Sequence, residues 1–410
     1  MRPQTGCIVR DAKRRAWFGK WREDVLQPDG SVKRKLVTRK LADICDQYRT
    51  ERDVRPLLDD IVRPLNEGKV DARSTMTLVR FVDNIYMPQY VEVELKPSTQ
   101  NGYKKLWEML REASPRLGEI TLREFSPNHA YLLFKTLREK GWGRHSLYHA
   151  KAFLSGVFAH AVNVGALHHN PVKEARMVKT DPPKQTSAAT LEQVFDILDA
   201  ISQAAKEGAI PSLTAKRARA AIALMYFGGL RPGEARGARW EDLEAVYDQD
   251  TQQFKWQLTP RYSAWRSHVT APKTEGSVKP VPVIEPLLTI LRELRQAEGN
   301  PQSGWILRGP ANKPLNVDVL ARSFLPILRE KGIAWPTYYG LRRGIGTRVT
   351  ALANPLAAKG LLRHRNVATT TAHYVKDVPE ETQAAMAALE QQALRLIAKR
   401  EKPEAEPLAS

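Results

Sequence analysis

An arginine on a tight turn is the first residue of this chain whose setting suggests chemistry. In the segment FGGLRPGE, residues 227–234, two glycines should end an apolar helix and Pro232 can begin the next one, so Arg231 lies on a fixed turn. A guanidinium held there could bind an oxyanion through two hydrogen bonds, with Glu234 one turn further on to orient it. Taken alone, such a motif is more often a surface arginine at a corner between helices.

A lysine near a second turn is the next candidate. Residues 269–283 read VTAPKTEGSVKPVPV, which predicts two short strands joined in a hairpin by a turn containing glycine. Lys273 lies beside the tip of that hairpin, where it could reach a ligand and, if partly desolvated, donate a proton. By itself, a charged edge strand that discourages aggregation explains the segment equally well.

The third group of motifs lies towards the C-terminus. Residues 339–344 read YGLRRG, residues 362–365 read LRHR and residues 369–374 read TTTAHY. Five motifs of this chain, taken in order, resemble those of the tyrosine recombinases, the phage integrase family. They are Leu-Arg-Pro-Gly-Glu, a hairpin Lys-Thr, Leu-Arg, Leu-x-His and Thr-Thr-x-x-x-Tyr. The resemblance is strong over residues 186–395 and weaker over residues 75–175.

The resemblance implies how a DNA phosphate would be held and attacked. Arg231 and Arg342 would bind the non-bridging oxygens of the scissile phosphate, and His364 would hydrogen-bond to the same group. Lys273 would act as the general acid towards the leaving 5′ oxygen. Tyr374 would be the nucleophile that becomes a 3′-phosphotyrosine.

This assignment agrees with the chemistry of phosphate esters. A phosphodiester is an anion that repels nucleophiles, so a site without metal needs fixed cations at the oxygens where charge develops. Two arginines and a lysine supply them, and the covalent phosphotyrosine conserves the bond energy, so neither ATP nor a divalent metal is required. The sequence contains no GxxxxGK[ST] and no GxGxxG motif, and we expect no cofactor.

Two further residues have possible catalytic or supporting roles. Glu234 matches the acidic position of the family that supports the site. Tyr339 stands where the family most often has histidine, three residues before the second arginine. A tyrosine hydroxyl can donate or accept a hydrogen bond, but with an ordinary pKa of about 10 it is a poor general base near neutral pH.

Net charge indicates the class of partner. The chain of 410 residues carries 64 Lys and Arg against 45 Asp and Glu, a formal charge of +19, as expected of a protein that neutralises phosphates. Residues 1–40 alone contain 12 Lys and Arg and 4 Asp and Glu. The candidate DNA-contacting residues are Arg14, Arg15, Lys33, Arg34, Arg144, His145 and Lys151.

The elements that must position these residues predict a mainly α fold with small β-sheets (α+β) in three domains. Residues 1–68 should form a basic domain, with strands at 6–10, 16–21 and 31–38 and helical spacing from Leu41 to about Gly68. Residues 75–175 should form a helical domain, with helices near 81–90, at 98–113, at 126–140 and at 146–164. The family resemblance implies that these are an arm-type DNA-binding domain and a core-binding domain, and that residues 186–398 are the catalytic domain. We expect 399–410 to be a disordered tail.

Other site classes have little support in the sequence. His145 and His149 are four residues apart and His168 is adjacent to His169, but no Cys or Glu is placed to complete a zinc site, so we expect no metal. Cys7 and Cys45, the two cysteines, should be reduced and structurally incidental. There is neither an apolar stretch of about 20 residues nor a secretory signal, so we expect a cytoplasmic protein without a membrane segment.

The resemblance implies a site-specific recombinase, most simply an integrase that inserts or excises a mobile element. Its partners would be double-stranded DNA at core and arm sites and three further copies of the chain in a tetramer, with a DNA-bending or directionality factor as an optional further partner. A helix over residues 380–398 would either dock on a neighbouring protomer, as the family pattern implies, or pack on its own domain. The alternatives are a DNA-binding regulator that has lost catalysis and a type IB topoisomerase.

Overall fold

The computed structural model describes residues 3–27, 29, 31–67, 71–181, 187–271, 278–363 and 380–401. The chain divides into two compact units, residues 1–184 and 185–410, and each is taken by itself. Within the described residues, helices predominate over small sheets, in agreement with the expected α+β class. None of the described helices is both long and apolar enough to cross a membrane.

The first unit begins with an antiparallel three-stranded sheet. Its strands are β1 (Cys7–Asp11), β2 (Ala16–Leu26) and β3 (Val32–Asp43), in the order β1-β2-β3, and helix α1 (Glu51–Asn66) follows. Val54, Leu58 and Val62 of α1 pack on Trp17 and Trp21 of β2. The predicted helix from Leu41 was wrong in its first ten residues, because β3 continues to Asp43 and the helix begins only after Thr50, whose backbone N–H donates to Asp53 at its third position.

The helices of the first unit enclose a separate apolar core. They are α2 (Leu78–Phe81), which continues as a π-helix (Val82–Val91) and α3 (Glu92–Glu94), then α4 (Pro97–Ala113), α5 (Pro127–Glu139), α6 (Arg144–Asn163) and the short α7 (Pro171–Glu174). An ion pair links the sheet to the segment before α5: Arg123, whose side chain is 29% exposed, donates two hydrogen bonds of 2.6 Å to the buried Glu23 of β2. The sheet and the helices are thus joined within one unit.

The second unit is built around α9, a helix buried on nearly every side because its sequence is mostly alanine, leucine and isoleucine. The helices of this unit are α8 (Leu191–Lys206), α9 (Ser212–Tyr226), α10 (Pro232–Gly237), α11 (Glu285–Ala297), α12 (Val317–Glu330), α13 (Tyr338–Leu352), α14 (Pro355–Leu362) and α15 (Glu380–Glu401). Helices α8, α10, α11, α12 and α13 all contact α9, which therefore forms the centre of the core.

The strands of the second unit pair differently from the sequence prediction. Strands β4 (Leu243–Asp248), β5 (Gln253–Leu258) and β8 (Val281–Val283) form one sheet, and β6 (Ser263–Trp265) pairs with β7 (His268–Thr270). The predicted pairing of β7 with β8 in one hairpin was wrong. Strand β8 pairs with β5, and this pairing buries Val281 and Val283 in the core. The more exposed β7 instead pairs with β6 across a two-residue turn.

The last helix packs on its own domain. Met386, Leu389 and Ala393 of α15 are buried in the core of the second unit, where α15 contacts α11, α13 and α14. The backbone N–H of Glu285, at the start of α11, donates to the carboxylate of Glu390 at 2.8 Å. Two arrangements of this helix were expected, and in the structure it packs on its own chain.

The predicted tail begins too early at 399, since α15 continues to Glu401. Residues 402–410 lie outside the described part.

Candidate active site

The turn that carries Arg231 has the predicted form. Helix α9 ends at Tyr226, and α10 begins at Pro232 with Arg231 as its N-cap. Gly229 has φ +56°, a conformation that side chains rarely adopt, and a Cβ atom there would lie 3.3 Å from Leu362 Cδ2. Glycine therefore allows this turn to approach the end of α14, the helix that leads into the LRHR motif.

A buried carboxylate organises the turn. Glu234 Oε1 accepts a hydrogen bond from Arg231 Nη1 at 2.6 Å, and Glu234 Oε2 accepts the Arg231 backbone N–H at 2.9 Å. Glu234 Oε2 also accepts a hydrogen bond of 2.6 Å from Nη2 of Arg363. Burial opposes ionisation of Glu234, but the charge of Arg363 and the hydrogen bonds from Arg231 outweigh it and hold the pKa of Glu234 below its ordinary value.

Arg342 reaches the same place from α13. Thr337, the N-cap of that helix, accepts the backbone N–H of Gly340, and Arg342 follows on the buried side of the first turns. Its guanidinium donates hydrogen bonds to the carbonyl oxygens of Gly229 and Leu362, so it bridges the Arg231 turn and the end of α14. Burial, with the charges of Arg231 and Arg363, lowers the pKa of Arg342 to about 9, so it stays protonated at neutral pH.

The three arginines and Glu234 leave an excess of positive charge in a largely buried place. In the described part of the chain, Arg231, Arg342 and Arg363 influence one another electrostatically, and Glu234 is the carboxylate that pairs with two of them. Arg342 pairs only with backbone carbonyls there. Burying unpaired charge is costly, so such a cluster favours an anion close by. Arg231, whose side chain is 35% exposed, connects it to solvent.

The other predicted site residues divide into two groups. Tyr339 is described and 59% exposed, while its neighbour Tyr338 is buried and donates a hydrogen bond to the Val317 carbonyl at 2.7 Å. Lys273, His364 and Tyr374 lie outside the described residues. Their roles remain predictions. The structure thus brings together Arg231, Glu234 and Arg342 of the predicted set.

Arg363 is the residue of this site that the sequence analysis missed. It follows α14 with φ 51° and ψ 46°, its side chain is fully buried, and it pairs with Glu234. The one available signal was its place within LRHR, directly before His364. An arginine in a basic segment is usually exposed, so its type alone gave no reason to place it in the interior.

The candidate DNA-contacting residues of the first unit lie on the N-terminal sheet and on helix α6. Arg14 and Arg15 stand at the turn between β1 and β2, with the Arg14 guanidinium 5.7 Å from the centre of the Phe18 ring, and Lys33 and Arg34 are exposed on β3. The other three residues are on α6, at Arg144, His145 and Lys151.

Of the three candidates on α6, Arg144 and His145 at its start are exposed, whereas Lys151 is not. Arg144 lies over the Tyr148 ring at 5.4 Å, and His145 and His149 approach each other with Nε2 atoms 2.9 Å apart. Lys151 is half-buried and donates to the carbonyl oxygen of Ala175 at 2.5 Å. No group of three or more potential metal ligands occurs among the residues that the structure describes.

Replacing Glu234 by glutamine should weaken the fold of the second unit in a manner that depends on pH. Glu234 has a folded pKa below its ordinary value of 4.5, so its carboxylate stabilises the fold above pH 4.5 and loses that contribution as the pH falls through the folded pKa. At pH 7 the variant leaves two arginines without a carboxylate, and we expect a loss of about 3–5 kcal/mol in the free energy of unfolding. Denaturant titrations at a series of pH values should show the difference from wild type shrinking below pH 4.5.

A matched control tests whether this effect is specific. Glu293 pairs with Arg219 at 2.5 Å but is 40% exposed, so Glu293→Gln should change the unfolding free energy by about 1 kcal/mol or less. A Glu234→Gln penalty that stays constant from pH 7 to pH 3, or that is no larger than that of the control, would contradict the buried charge pairing.

Comparison with known proteins supplies independent information on this arrangement. Residues 190–381 match the model of the phage integrase family. A tyrosine recombinase XerC-like protein of Caldanaerobacter subterraneus subsp. tengcongensis is 22% identical over 267 residues, covering 60% of this chain and 66% of that relative. The match thus spans slightly less than two thirds of the relative's length.

Solved structures share the fold at low sequence identity. The Tn1549 transposon integrase in complex with a circular intermediate DNA has a TM-score of 0.55 at 18% identity and covers 77% of this chain and 99% of that chain. A lambda integrase dimer bound to a COC′ core site has a TM-score of 0.51 at 15% identity, covering 91% of this chain and 97% of that chain. These similarities show that the matched part of the chain shares the fold of these structures.

Proposed function

We propose that this chain, whose residues 190–381 match the model of the phage integrase family, is a site-specific tyrosine recombinase that cleaves and rejoins double-stranded DNA. The observation that carries the proposal is the cluster of Arg231, Arg342 and Arg363 around one carboxylate, a largely buried excess of positive charge suited to a phosphodiester. The basic N-terminal sheet and the exposed start of α6 would contribute contacts to the DNA backbone.

The reaction follows from the chemistry of the proposed groups. The Tyr374 hydroxyl gives up its proton to water as its oxygen attacks the scissile phosphorus in line, the bond from phosphorus to the 5′ oxygen breaks, and Lys273 delivers a proton to that oxygen. Arg231 and Arg342, with His364, stabilise the charge on the non-bridging oxygens as it develops. A 5′-hydroxyl of another strand then attacks the phosphotyrosine, which restores a phosphodiester and releases the tyrosine.

In the cell, this activity would integrate or excise a mobile element. Four copies of the chain would act on two duplexes, with core and arm sites on the DNA and a bending or directionality factor as an optional further partner. These features of the proposal derive from the family resemblance. The lambda and Tn1549 integrases with the same fold were solved with DNA.

A DNA-binding regulator without catalysis is the second candidate. Tyr339 in place of the usual histidine favours it, because a tyrosine is a poor base near neutral pH. The buried arginine cluster favours the enzyme, since holding several guanidinium groups together in the interior is costly without an anion to bind.

The wild-type protein should form a covalent complex with a nicked suicide substrate in the presence of EDTA. The substrate is a duplex of the DNA that flanks the gene, nicked near the presumed cleavage site so that the released 5′ end diffuses away and the phosphotyrosine accumulates. Denaturing gel electrophoresis should show a shifted, protease-sensitive band. Footprinting on the same DNA shows whether the protein binds, so binding without any adduct, and without relaxation of supercoiled plasmid, would favour the regulator.

A further inference from the structure

Arg363 occupies a position that is demanding for both its backbone and its side chain. Its φ of 51° lies in the left-handed region that favours glycine, and its guanidinium is completely removed from solvent. Nη2 donates to Glu234, Nη1 lies 3.4 Å from the Leu361 carbonyl oxygen, and Nε has no hydrogen-bond partner among the described residues. A buried charge on a strained backbone costs stability, so its presence here calls for an explanation in the site itself.

The arrangement around Glu234 supplies that explanation. The carboxylate pairs with Arg231 through Oε1 and with Arg363 through Oε2. Without Arg363, Glu234 would neutralise Arg231 alone, and Arg231 and Arg342 would together offer one unit of net positive charge to a phosphate. With Arg363 present the three arginines and the carboxylate carry two, and part of the Arg231 charge remains available.

Arg363 also fixes a hydrogen-bond acceptor of Arg342. The carbonyl oxygen of Leu362, directly before Arg363, accepts from the Arg342 guanidinium. Anchoring the Arg363 side chain on Glu234 therefore holds the end of α14 against both the Arg231 turn and Arg342.

We propose that Arg363 is a positioning residue of the phosphate site, which shares the charge of Glu234 so that Arg231 keeps positive charge and N–H donors for the scissile phosphate. The proposal deepens the recombinase function above and rests on it. It predicts that the effect of removing Arg363 depends on whether Glu234 still carries its charge.

A double-mutant cycle in the full-length protein tests this dependence. Arg363→Met removes one positive charge, and we expect the rate of covalent adduct formation to fall about 10²-fold, as when a fixed donor to a reacting anion is lost. The pair Arg363→Met/Glu234→Gln restores the net charge of the pocket, and its rate should return to within about tenfold of wild type. A role limited to packing predicts that the double variant is no faster than Arg363→Met, and that result would overturn the proposal.

The control is a buried arginine elsewhere in the second unit. Arg236 is also buried, at 6% exposure, but it donates to the carbonyl oxygens of Leu315 and Arg266 and has no hydrogen bond to Glu234. Arg236→Met should leave the adduct rate of folded protein within a fewfold of wild type. An equal loss in both variants would show a general effect of removing buried arginines and would refute the specific role.

If Arg363→Met does not fold, a conservative substitution still tests the proposed role of Arg363. Arg363→Lys retains the charge on a flexible stem, and melting curves show whether it is folded at the assay temperature. A rate within about tenfold of wild type supports the proposal, and a 10²-fold loss in folded protein overturns it.

Inorganic phosphate provides a readout that does not depend on DNA cleavage. Phosphate should raise the melting temperature of the wild type more than that of Arg363→Met, and the double variant should regain the wild-type response. Equal responses in all three proteins would overturn the charge-sharing role. If the wild type forms no DNA adduct but the phosphate responses differ as expected, the recombinase function fails while the role of Arg363 in an anion site stands.

Discussion

Replacing Tyr374 by phenylalanine should abolish the covalent adduct with the nicked DNA substrate completely. The change removes one oxygen atom, the nucleophile, and leaves the aromatic ring, so DNA binding should be unaffected. No slower route to a phosphotyrosine is available to a side chain without a hydroxyl. Gel electrophoresis of the denatured reaction measures the adduct, and footprinting on the same duplex confirms binding.

Two other tyrosines of the same unit sharpen this experiment. Tyr247 is an exposed tyrosine on β4 whose hydroxyl pairs with Gln252, and Tyr247→Phe should form the adduct at the wild-type rate. Tyr339→Phe should still form it, because the nucleophile remains. An adduct that persists in Tyr374→Phe and disappears in Tyr339→Phe would transfer the nucleophile to Tyr339 and refute the assignment.

Replacing Arg342 by methionine should lower the rate of adduct formation by about 10³-fold, equivalent to about 4 kcal/mol of transition-state stabilisation. Arg342 is buried and its guanidinium pairs with backbone carbonyls, so on the proposed assignment its loss removes a cation that would stabilise the phosphate oxygens. It also removes the bridge between Gly229 and Leu362, which should let the Arg231 turn and the end of α14 move relative to each other.

Arg342→Lys separates these two contributions. Lysine retains a charge but cannot donate to two carbonyl oxygens with a rigid fork, so we expect a rate between those of wild type and Arg342→Met. Melting temperatures and the salt dependence of DNA binding should verify that each variant folds and binds. An adduct rate for folded Arg342→Met within tenfold of wild type would exclude this arginine from the phosphate site.

Local sequence patterns predicted those parts of the site that a single turn determines. Gly229 and Pro232 mark the end of one helix and the beginning of the next, so the placement of Arg231 and its contact with Glu234 could be inferred without knowledge of the fold. Most helices of the first unit are likewise marked by caps and apolar spacing, as at Ser126 before α5.

Features set by contacts distant in sequence could not be predicted in this way. The pairing of β8 with β5 depends on which strand finds a core surface for Val281 and Val283, and short strands adjacent in sequence suggested a hairpin instead. The burial of Arg363 depends on Glu234, more than a hundred residues earlier. Neither partner carries a local signal of the other.

The packing of α15 on its own domain has a consequence for assembly. Withdrawing Met386 and Leu389 from the core would expose two apolar side chains at a cost of about 1.5–3 kcal/mol each. If two identical copies exchange this helix, as in domain swapping, each copy regains the same contacts. The exchange therefore changes the total free energy of the copies very little. Proximity would then decide the outcome: an isolated copy keeps the helix, and copies held close together, as in the proposed assembly on DNA, would be able to exchange it.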